Sequence, residues 1–338
     1  MSNGFGGTRN ATESRQWIYT SVPEGKLTTD IFKLQTIAIP EQPGPGEVLI
    51  RNRYLNIMPG NRAYMRMGLL AAGQPMWSLG VGEVLVSNDP GFGPGDVVEG
   101  LLPWQDVAAV PAQTLGKRGG GYPIEHYAGL LGQTGYTAYF GFLHAGQPRA
   151  GETVLVSSAA GGVGSLVVQL AKLSGCRVVG IAGGAEKCAW LEREVGADAT
   201  IDYKAGNLAE QLKQVCPDGV DLFFDNVGGT VLEAALDAMK VGGRIILCGN
   251  ASQYDSDQEM VGPKGVPLTL ILKNLTMRGF PYKAYEQQFG EADRNLWAWV
   301  QDGRIRPFYH VVEGLEQGPT GLVGILSGAN RGMAMVRV

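Results

Sequence analysis

The hydrophobic and polar positions follow two different patterns along the chain. Up to about residue 129 the apolar runs are short, as in "QWIYTS", "FKLQTIAIP" and "EVLIRNRYLNI", and the Pro-Gly clusters "EQPGPGE" and "NDPGFGPGD" separate them. Short apolar runs between strong turn signals are typical of antiparallel strands. This stretch therefore predicts a small β-rich domain.

From about residue 132 to residue 302 the pattern changes to alternating strands and helices. "TVLVSS" is a β-branched run typical of a strand covered on both faces, and the apolar residues after it recur at helical spacing until Gly175, a C-cap residue. The series continues through "RVVGIAG", "AEKCAWLEREVG", "DATIDY", "VDLFFDNVGG", "TVLEAALDAMK" and "GRIILCGN". This alternation predicts the α/β class with a doubly wound parallel sheet. Beyond about Arg304 the chain is strand-like again, so we expect it to return to the first domain.

The segment "SAAGGVGSL" joins the strand "TVLVSS" to the helix that follows it. It fits the pattern G-x-G-x-x-G, with Ala159 at the first position and Gly161 and Gly164 at the others. Small residues let the backbone approach a pyrophosphate, and the helix N-terminus offers unpaired N–H groups. The other interpretation is a packing turn in a chain that contains 51 glycines. The strand before the turn and the helix after it favour the dinucleotide site.

The end of the next strand indicates which dinucleotide binds. NAD sites usually carry an acidic residue about 20 residues beyond the glycines, where it holds the ribose 2′-hydroxyl. In "GIAGGAEK" residues 182–184 offer no carboxylate, and Lys187 follows. A nearby cation without the acid suits the 2′-phosphate of NADP. Glu186 is adjacent, however, and Lys187 taken alone is also compatible with an ordinary solvated helix lysine.

Composition and charge argue against a nucleic-acid-binding protein and against a membrane protein. A chain of 338 residues with 44% hydrophobic and 18% charged residues is globular and long enough for about two domains. The net charge is −4 and the sequence has no run of basic residues. The chain therefore lacks the cluster of positive charge that binding to nucleic acid requires. No apolar run approaches the ~20 residues needed to span a bilayer, and the polar N-terminus lacks a signal-peptide core. With four scattered cysteines, these features predict a cytoplasmic protein.

Two kinds of chemistry are disfavoured. Catalytic zinc needs about three converging Cys, His or carboxylate ligands. The histidines are His126, His144 and His310, and no cysteine precedes Cys176, so we expect no metal site. Ser165 lies at a helix start rather than on a G-x-S-x-G elbow, which is evidence against a serine hydrolase.

Several motifs together carry a family resemblance. They are "SSAAGGVGSLVVQLAKLSGCRVVGIAGGAEKCAWL", "FDNVGG", "GRIILCGNASQY" and the C-terminal "GANRG". From Tyr64 to the end, the chain resembles the medium-chain dehydrogenase/reductase superfamily and, within it, the zinc-free prostaglandin reductase or alkenal/one oxidoreductase family. The resemblance implies a GroES-like β-rich substrate domain of residues 1–130 and 304–338, and a Rossmann dinucleotide-binding domain of residues 131–303.

The resemblance also implies an NADPH site. Tyr254 matches the tyrosine near the nicotinamide ribose, often assigned to proton handling, and is the implied catalytic group; the alternative is a loop tyrosine packed under a lid. Tyr64, Met65 and Tyr136 are candidates for an apolar substrate pocket, although each could belong to the core instead. The implied cofactor contacts are Gly161, Gly162, Val163, Gly164, Lys187, Tyr203, Asn226, Cys248, Gly249, Ser252, Tyr254, Phe280, Tyr282 and Asn330.

Three positions depart from the family's pattern. Met58 stands where an acid usually precedes the Pro-Tyr-Met-Arg stretch, and this chain has extra residues between Pro59 and Tyr64. Gly184 replaces a usual serine, and Met333 replaces the lysine that usually follows "GANxG". Each of the last two changes removes a potential polar contact with the cofactor.

The expected reaction is reduction of the carbon–carbon double bond of an α,β-unsaturated ketone or aldehyde by NADPH. Negative charge would build on the carbonyl oxygen, and hydrogen-bond donors would stabilise it without a metal. The alternatives are a quinone oxidoreductase on the same fold and a non-catalytic NADPH-binding protein. The resemblance suggests a homodimer.

Overall fold

The structure, a computed structural model, describes residues 13–119, 121–256 and 262–338. The first twelve residues, on which the prediction about a signal peptide rests, lie outside the described residues. Within the three described ranges, no helix is long and apolar enough to cross a membrane.

Strands and helices fill most of these ranges. The strands are β1 (Glu13–Tyr19), β2 (Phe32–Ala38), β3 (Glu47–Asn56), β4 (Gln74–Pro75), β5 (Trp77–Ser87), β6 (Val97–Pro103), β7 (Val107–Pro111), β8 (Leu115–Arg118), β9 (Thr153–Val156), β10 (Arg177–Ala182), β11 (Ala199–Asp202), β12 (Val220–Asp225), β13 (Met239–Leu247), β14 (Thr276–Gly279), β15 (Tyr309–Glu313) and β16 (Met333–Arg337). The helices are α1 (Gly60–Arg66), α2 (Ile124–Ala128), α3 (Gln133–Tyr139), α4 (Gly162–Leu173), α5 (Ala185–Trp190), α6 (Leu208–Val215), α7 (Gly229–Ala238), α8 (Val266–Lys273), α9 (Phe289–Gln301) and α10 (Gly318–Leu326). Two π-helical segments, Phe140–Gly146 and Leu191–Val195, directly continue α3 and α5.

Six strands form a parallel sheet in the order β11-β10-β9-β12-β13-β14. Successive side chains of a strand point to opposite faces, so a strand covered on both sides feeds two cores. In β9, Val154 and Val156 belong to one hydrophobic core and Leu155 to another, and all three are fully buried. The predicted doubly wound α/β class is therefore confirmed.

The other strands form a β-rich part. Its larger sheet has the order β15-β16-β3-β5-β6-β8, with β7 paired to β3, and its smaller sheet has the order β2-β1-β4. Trp104 is fully buried in the core of this part and donates its indole N–H to Ser78 Oγ at 2.9 Å. The C-terminal strand β16 pairs antiparallel with β3, so the end of the chain lies in the larger sheet. The expected β-rich part beside the parallel sheet is confirmed.

Contacts between the two parts fix the cleft that separates them. Tyr54 of β3 and Val81 of β5 belong to the same hydrophobic core as Val156 of β9. Arg118, at the end of β8, donates to the Asp293 carboxylate of α9 at 3.1 Å. An apolar core and a partly buried ion pair thus both cross from the β-rich part to the parallel sheet.

Helix α4 begins close to the end of β9, and its first turn packs tightly against the preceding residues. A Cβ atom on Gly164 would lie 2.3 Å from the carbonyl oxygen of Ser158 and 2.8 Å from the Cα atom of Ala159. Both are backbone atoms, which cannot move without distorting the turn. Glycine at this position is therefore a steric requirement of the strand–turn–helix unit.

We expect Gly164→Ala to lower the free energy of unfolding by about 1–3 kcal/mol, the usual cost of overpacking, although alanine is the better helix former. Urea denaturation measures this change. Gly93→Ala is the matched control, because a Cβ at that position has no atom within 4 Å, and its stability should stay close to that of the parent chain. A Gly164→Ala variant as stable as the parent would contradict the steric explanation.

Candidate functional site

The residues predicted to bind the cofactor lie along one edge of the parallel sheet. The carboxyl ends of parallel strands meet at the same edge, and the loops after them form the usual ligand crevice at the point where strand order reverses. Here β9 and β12 are the neighbours at that reversal. The predicted residues follow successive strands: Gly161–Gly164 after β9, Lys187 after β10, Tyr203 after β11, Asn226 after β12, Cys248 and Gly249 after β13, and Phe280 after β14.

The glycine turn leaves the start of α4 open. Gly161 is its N-cap residue, with extended backbone angles (φ −81°, ψ 179°), and a glycine has no side chain to occupy the first N–H groups. Gly162 has little space for a side chain, because a Cβ there would lie 3.2 Å from the Cα atom of Met333. Val163 is half-buried and packs against the core. The start of the helix can therefore present backbone donors to an anion.

The C-terminal segment lies directly on this turn. Gly161 forms a bridge with Gly332, and the Gly332 N–H donates to the carbonyl oxygen of Ala160 at 2.9 Å. Asn330 donates its side-chain amide to the carbonyl oxygen of Gly332 at 2.9 Å. The predicted Asn330 is thus next to the glycine turn, and its amide supports the segment that covers it.

A cavity of about 330 Å³ opens between the second strand end and the C-terminal segment. Lys187 points toward it, since its Nζ atom lies 3.7 Å from the position that a Cβ on Gly328 would take. Burial lowers the pKa of Lys187 below its ordinary value, and the nearby cations Lys204 and Arg331 lower it further. The lining residues are Gly183, Gly184, Ala185, Glu186, Lys187, Gly328, Ala329 and Arg331. A cavity lined by two cations and several small residues suits a phosphate group.

Arg331 is a candidate residue that the sequence analysis missed. Its guanidinium donates to the carboxylate of Glu186 at 3.0 Å, and both side chains line the cavity. The pair joins residues that are 145 positions apart in the chain. The only signal in the sequence is an arginine inside "GANRG", next to Asn330.

Tyr203 packs on Gly183, one of the residues that line this cavity. A Cβ on Gly183 would lie 2.8 Å from the Tyr203 ring and hydroxyl, so the ring rests against the Gly183 backbone while 49% of the side chain is exposed. Asp202 fixes this arrangement, because its carboxylate accepts the N–H of Gly184 at 2.8 Å and that of Lys204 at 2.9 Å. The site thus offers an ordered aromatic surface beside its cations.

At the reversal point, the buried carboxylate of Asp225 holds the ends of β9 and β12 together. It accepts hydrogen bonds from Ser157 Oγ at 2.7 Å, from the Val227 N–H at 3.0 Å and from the Gly228 N–H at 3.1 Å. Burial raises the pKa of this carboxyl group, and these donors oppose the shift. Asn226 donates its side-chain amide to the Ser157 carbonyl oxygen at 2.7 Å. The sequence analysis named Asn226 and missed Asp225, the residue beside it.

Tyr254 lies in the loop after β13, close to Asn226 and Gly249. Its hydroxyl oxygen accepts the N–H of Asn250 at 2.9 Å. A Cβ on Gly249 would lie 3.4 Å from that hydroxyl and 2.9 Å from the carbonyl oxygen of Asn226. Burial raises the pKa of Tyr254, so the phenol keeps its proton at neutral pH. The structure thus brings a protonated tyrosine to the strand end where the nicotinamide half of a dinucleotide would lie in the predicted site.

Three more predicted residues, Ser252, Phe280 and Tyr282, follow β13 and β14 in the chain. Ser252 donates its hydroxyl to the Val227 carbonyl oxygen at 2.7 Å. The Phe280 ring packs on Gly141 and lies 6.2 Å from the Phe224 ring. Burial and the neighbouring Tyr64 raise the pKa of Tyr282 to about 12.

Of the three predicted pocket residues, Tyr64 is half-buried and the other two are buried. Tyr64 stacks on Trp77, with ring centroids 5.8 Å apart, and interacts electrostatically with Tyr254. Met65 and Tyr136 are only 1% and 2% exposed and belong to hydrophobic cores. The Tyr136 hydroxyl donates to Asp293 at 2.7 Å. For Met65 and Tyr136 the structure therefore favours the core alternative over a substrate pocket.

The three histidines are engaged at separate places. His126 Nδ1 lies 2.6 Å from the Tyr309 hydroxyl, His144 packs among aromatic rings, and His310 is in β15. Among the residues that the structure describes, no group of three or more His, Cys, Asp and Glu side chains could hold a metal ion.

Comparison with known proteins places this fold and site in a family. A sequence model described as "Zinc-binding dehydrogenase" matches residues 162–298, and one described as "N-terminal domain of oxidoreductase" matches residues 15–117. NADPH-dependent curcumin reductase of Escherichia coli (strain K12) is 36% identical over 96% of this chain and 97% of its own length. The 2-alkenal reductase (NADP(+)-dependent) of Nicotiana tabacum is 40% identical over 91% of this chain and 92% of its own length. The crystal structure of CurA in complex with NADPH from Vibrio vulnificus is 37% identical, covers 96% of this chain and 99% of its own, and superposes with a TM-score of 0.90.

The parallel sheet with its glycine turn is the fold of a dinucleotide-binding domain, and here it is joined to a β-rich part. This combination is typical of dinucleotide-dependent oxidoreductases. The chain belongs to the prostaglandin reductase and alkenal/one oxidoreductase family of the medium-chain dehydrogenase/reductase superfamily. The resemblance drawn from the sequence motifs is therefore confirmed.

The Cys248 thiol next to this site generates a prediction. Burial raises the pKa of Cys248 to about 12, and the Asp225 carboxylate contributes in the same direction. The thiolate is the reactive form, so we expect the rate of iodoacetamide alkylation at Cys248 to keep rising about tenfold per pH unit from pH 8 to pH 10. Peptide mass spectrometry measures the rate at each pH.

A short peptide that contains the same cysteine is the control, and its alkylation rate should level off above about pH 8.5, the ordinary thiol pKa. A plateau at the same pH in the folded protein would show that Cys248 has an ordinary pKa.

Proposed function

We propose that this protein uses NADPH to reduce the carbon–carbon double bond of α,β-unsaturated ketones and aldehydes, and that the reaction needs no metal ion. One observation carries the proposal: a glycine turn, a cationic cavity and the protonated hydroxyl of Tyr254 share one edge of the parallel sheet. The names of the relatives support it, since they include an NADPH-dependent curcumin reductase and a 2-alkenal reductase.

The residues at the sheet edge fit NADPH. The open start of α4 at Gly161 and Gly162 suits a pyrophosphate, because backbone N–H groups and the helix dipole both favour an anion there. The cavity with Lys187 and Arg331 suits the additional 2′-phosphate of NADPH. Glu186, the acid nearest to that cavity, is paired with Arg331. This arrangement favours NADPH over NADH.

Tyr254 is the group that meets the substrate's developing charge. NADPH, when bound, supplies a hydride. The Tyr254 oxygen already accepts the Asn250 N–H, so its own proton is free to point at another acceptor, such as a substrate carbonyl oxygen. Its raised pKa keeps that proton in place at neutral pH. Tyr254 therefore stabilises negative charge on the carbonyl oxygen by a hydrogen bond, in the manner of an oxyanion-hole donor, and no metal is required.

The protein is further proposed to be a cytoplasmic homodimer. Its four cysteines are free thiols, as is usual in a reducing compartment. Strand β14 lies at the edge of the parallel sheet, and α8 precedes it with Leu268, Ile271 and Leu272 largely exposed. A second copy paired along this edge would cover both features. Light scattering that returns the mass of a single chain would contradict the homodimer.

A substrate panel tests the proposed reaction. NADPH oxidation is followed at a fixed enzyme concentration with alkenals, aryl enones, 15-keto-prostaglandin-like enones and quinones, with and without EDTA. We expect turnover of the enones and alkenals that EDTA does not change. Turnover of quinones alone would favour a quinone oxidoreductase, and NADPH binding without any turnover would favour a non-catalytic binding protein.

We expect Lys187→Ala and Arg331→Ala each to raise the KM for NADPH by about tenfold or more, since each removes a hydrogen bond between charged groups. The KM for NADH, which lacks the 2′-phosphate, should change little. Lys213→Ala on the exposed face of α6 is the control. Equal changes in the two KM values would remove these side chains from the 2′-phosphate site.

We expect Tyr254→Phe to lower kcat on enones by about a hundredfold while the KM for NADPH is largely kept, because the variant loses its donor to the substrate oxygen. Steady-state kinetics with saturating NADPH measures the effect. Tyr139→Phe is the control: its buried hydroxyl accepts from Asn295 at 2.8 Å and lies outside the proposed site. Unchanged kcat in Tyr254→Phe would exclude Tyr254 from the chemistry.

A further inference from the structure

Two arginines of α1 reach the loop that carries Tyr254. Helix α1 belongs to the β-rich part, whereas residues 250–256 follow β13 of the parallel sheet. Arg62 and Arg66 are four residues apart, so they lie on the same face of the helix. Their contacts therefore cross from one part of the molecule to the other.

Arg62 is held by a carboxylate of the loop. Its side chain is only 1% exposed, and its Nε atom donates to Asp255 Oδ1 at 3.3 Å. The same guanidinium donates to the carbonyl oxygen of Gly25 at 2.9 Å. Asp255 Oδ1 also accepts the N–H of Leu27 at 2.7 Å. A buried guanidinium without its carboxylate is costly, so Asp255 and the loop are tied to this position.

Arg66 holds the loop on both sides of Tyr254. Its Nη1 atom donates to the carbonyl oxygen of Ser256 at 2.6 Å and to that of Gln253 at 3.3 Å. Both bonds come from the one Nη1 atom, so a single charged group joins the backbone on either side of Tyr254. Gln253, Asp255 and Ser256 are thus all fixed by α1, while Tyr254 between them directs its hydroxyl to the Asn250 N–H.

We propose that Arg62 and Arg66 are positioning residues for Tyr254: together they clamp residues 253–256 from the opposite side of the cleft and so fix the phenol relative to the substrate. The inference rests on the proposed function, because it assigns to Tyr254 the role described there. In this proposal both arginines act on the loop and not on the reacting atoms. Their effect on the reaction passes entirely through the loop.

A double-mutant cycle between Arg66 and Tyr254 tests the clamp. Arg66 is only half-buried, so Arg66→Met is expected to fold, and methionine keeps much of the side-chain length. We expect Arg66→Met to lower kcat on an enone by about tenfold, since a small displacement of a catalytic group has effects of this size or larger. In the Tyr254→Phe background the same substitution should leave kcat unchanged. Arg304→Met, at an exposed position, is the control.

A second readout does not depend on turnover. The Asn250 N–H donates to the Tyr254 hydroxyl, so hydrogen exchange in a peptide spanning residues 248–256 reports whether the phenol is in place. We expect faster exchange there in Arg66→Met and in Asp255→Asn than in the parent. Melting temperatures recorded in parallel separate loop release from general destabilisation.

The outcomes separate the clamp from the proposed function. Non-additive kcat effects with faster exchange support the clamp. Equal kcat losses in both backgrounds, or unchanged exchange in Arg66→Met, would overturn it while leaving a Tyr254-dependent reaction intact. If Tyr254→Phe does not alter kcat, the role of Tyr254 and the clamp's role in catalysis fail together.

Discussion

The buried carboxylate of Asp225 is the interaction on which the whole site depends. Its two oxygen atoms accept the Ser157 hydroxyl and the N–H groups of Val227 and Gly228, and its backbone oxygen accepts the N–H groups of Cys248 and Gly249. One residue thus joins the ends of β9, β12 and β13. The glycine turn, the Asn226 turn and the Tyr254 loop all begin at these strand ends, so their relative positions follow from it. Such a group is stable in the interior because nearly all of its hydrogen-bonding capacity is used.

From this centre the sheet edge divides into two regions with different electrostatics. Toward β10 and β11 lie the cations Lys187, Lys204 and Arg331, and burial together with the charges of Lys204 and Arg331 lowers the pKa of Lys187. Toward β13 lie neutral, partly buried tyrosines, whose pKa values are raised. A dinucleotide with a phosphate at one end and a reactive ring at the other matches this division. In the proposed reaction, the cations near β10 and β11 bind the phosphate of the cofactor, and the hydride is transferred near the tyrosines that follow β13.

The sequence was sufficient to predict those features of the fold and the site that depend on local patterns of residues. "TVLVSS" predicts a buried strand and "AAGGVG" a turn into a helix, because β-branched runs and small residues have few alternatives in such positions. The contacts between distant residues were not predictable in this way. Arg331 meets Glu186 across 145 positions, and Arg62 meets Asp255 across 193, and neither pair leaves a periodic or compositional signal. Met65 could not be assigned either, since an apolar residue in a core and one in a pocket look alike in a sequence.

The central claim is that hydride reaches the carbon–carbon double bond rather than the carbonyl group. The most direct measurement uses NADPH in which both hydrogens at C4 are replaced by deuterium, during reduction of an aryl enone, with the product analysed by NMR. The proposed reaction predicts a saturated ketone that carries one deuterium on the β-carbon. An allylic alcohol with deuterium on the former carbonyl carbon, or a reduced product without deuterium, would contradict it.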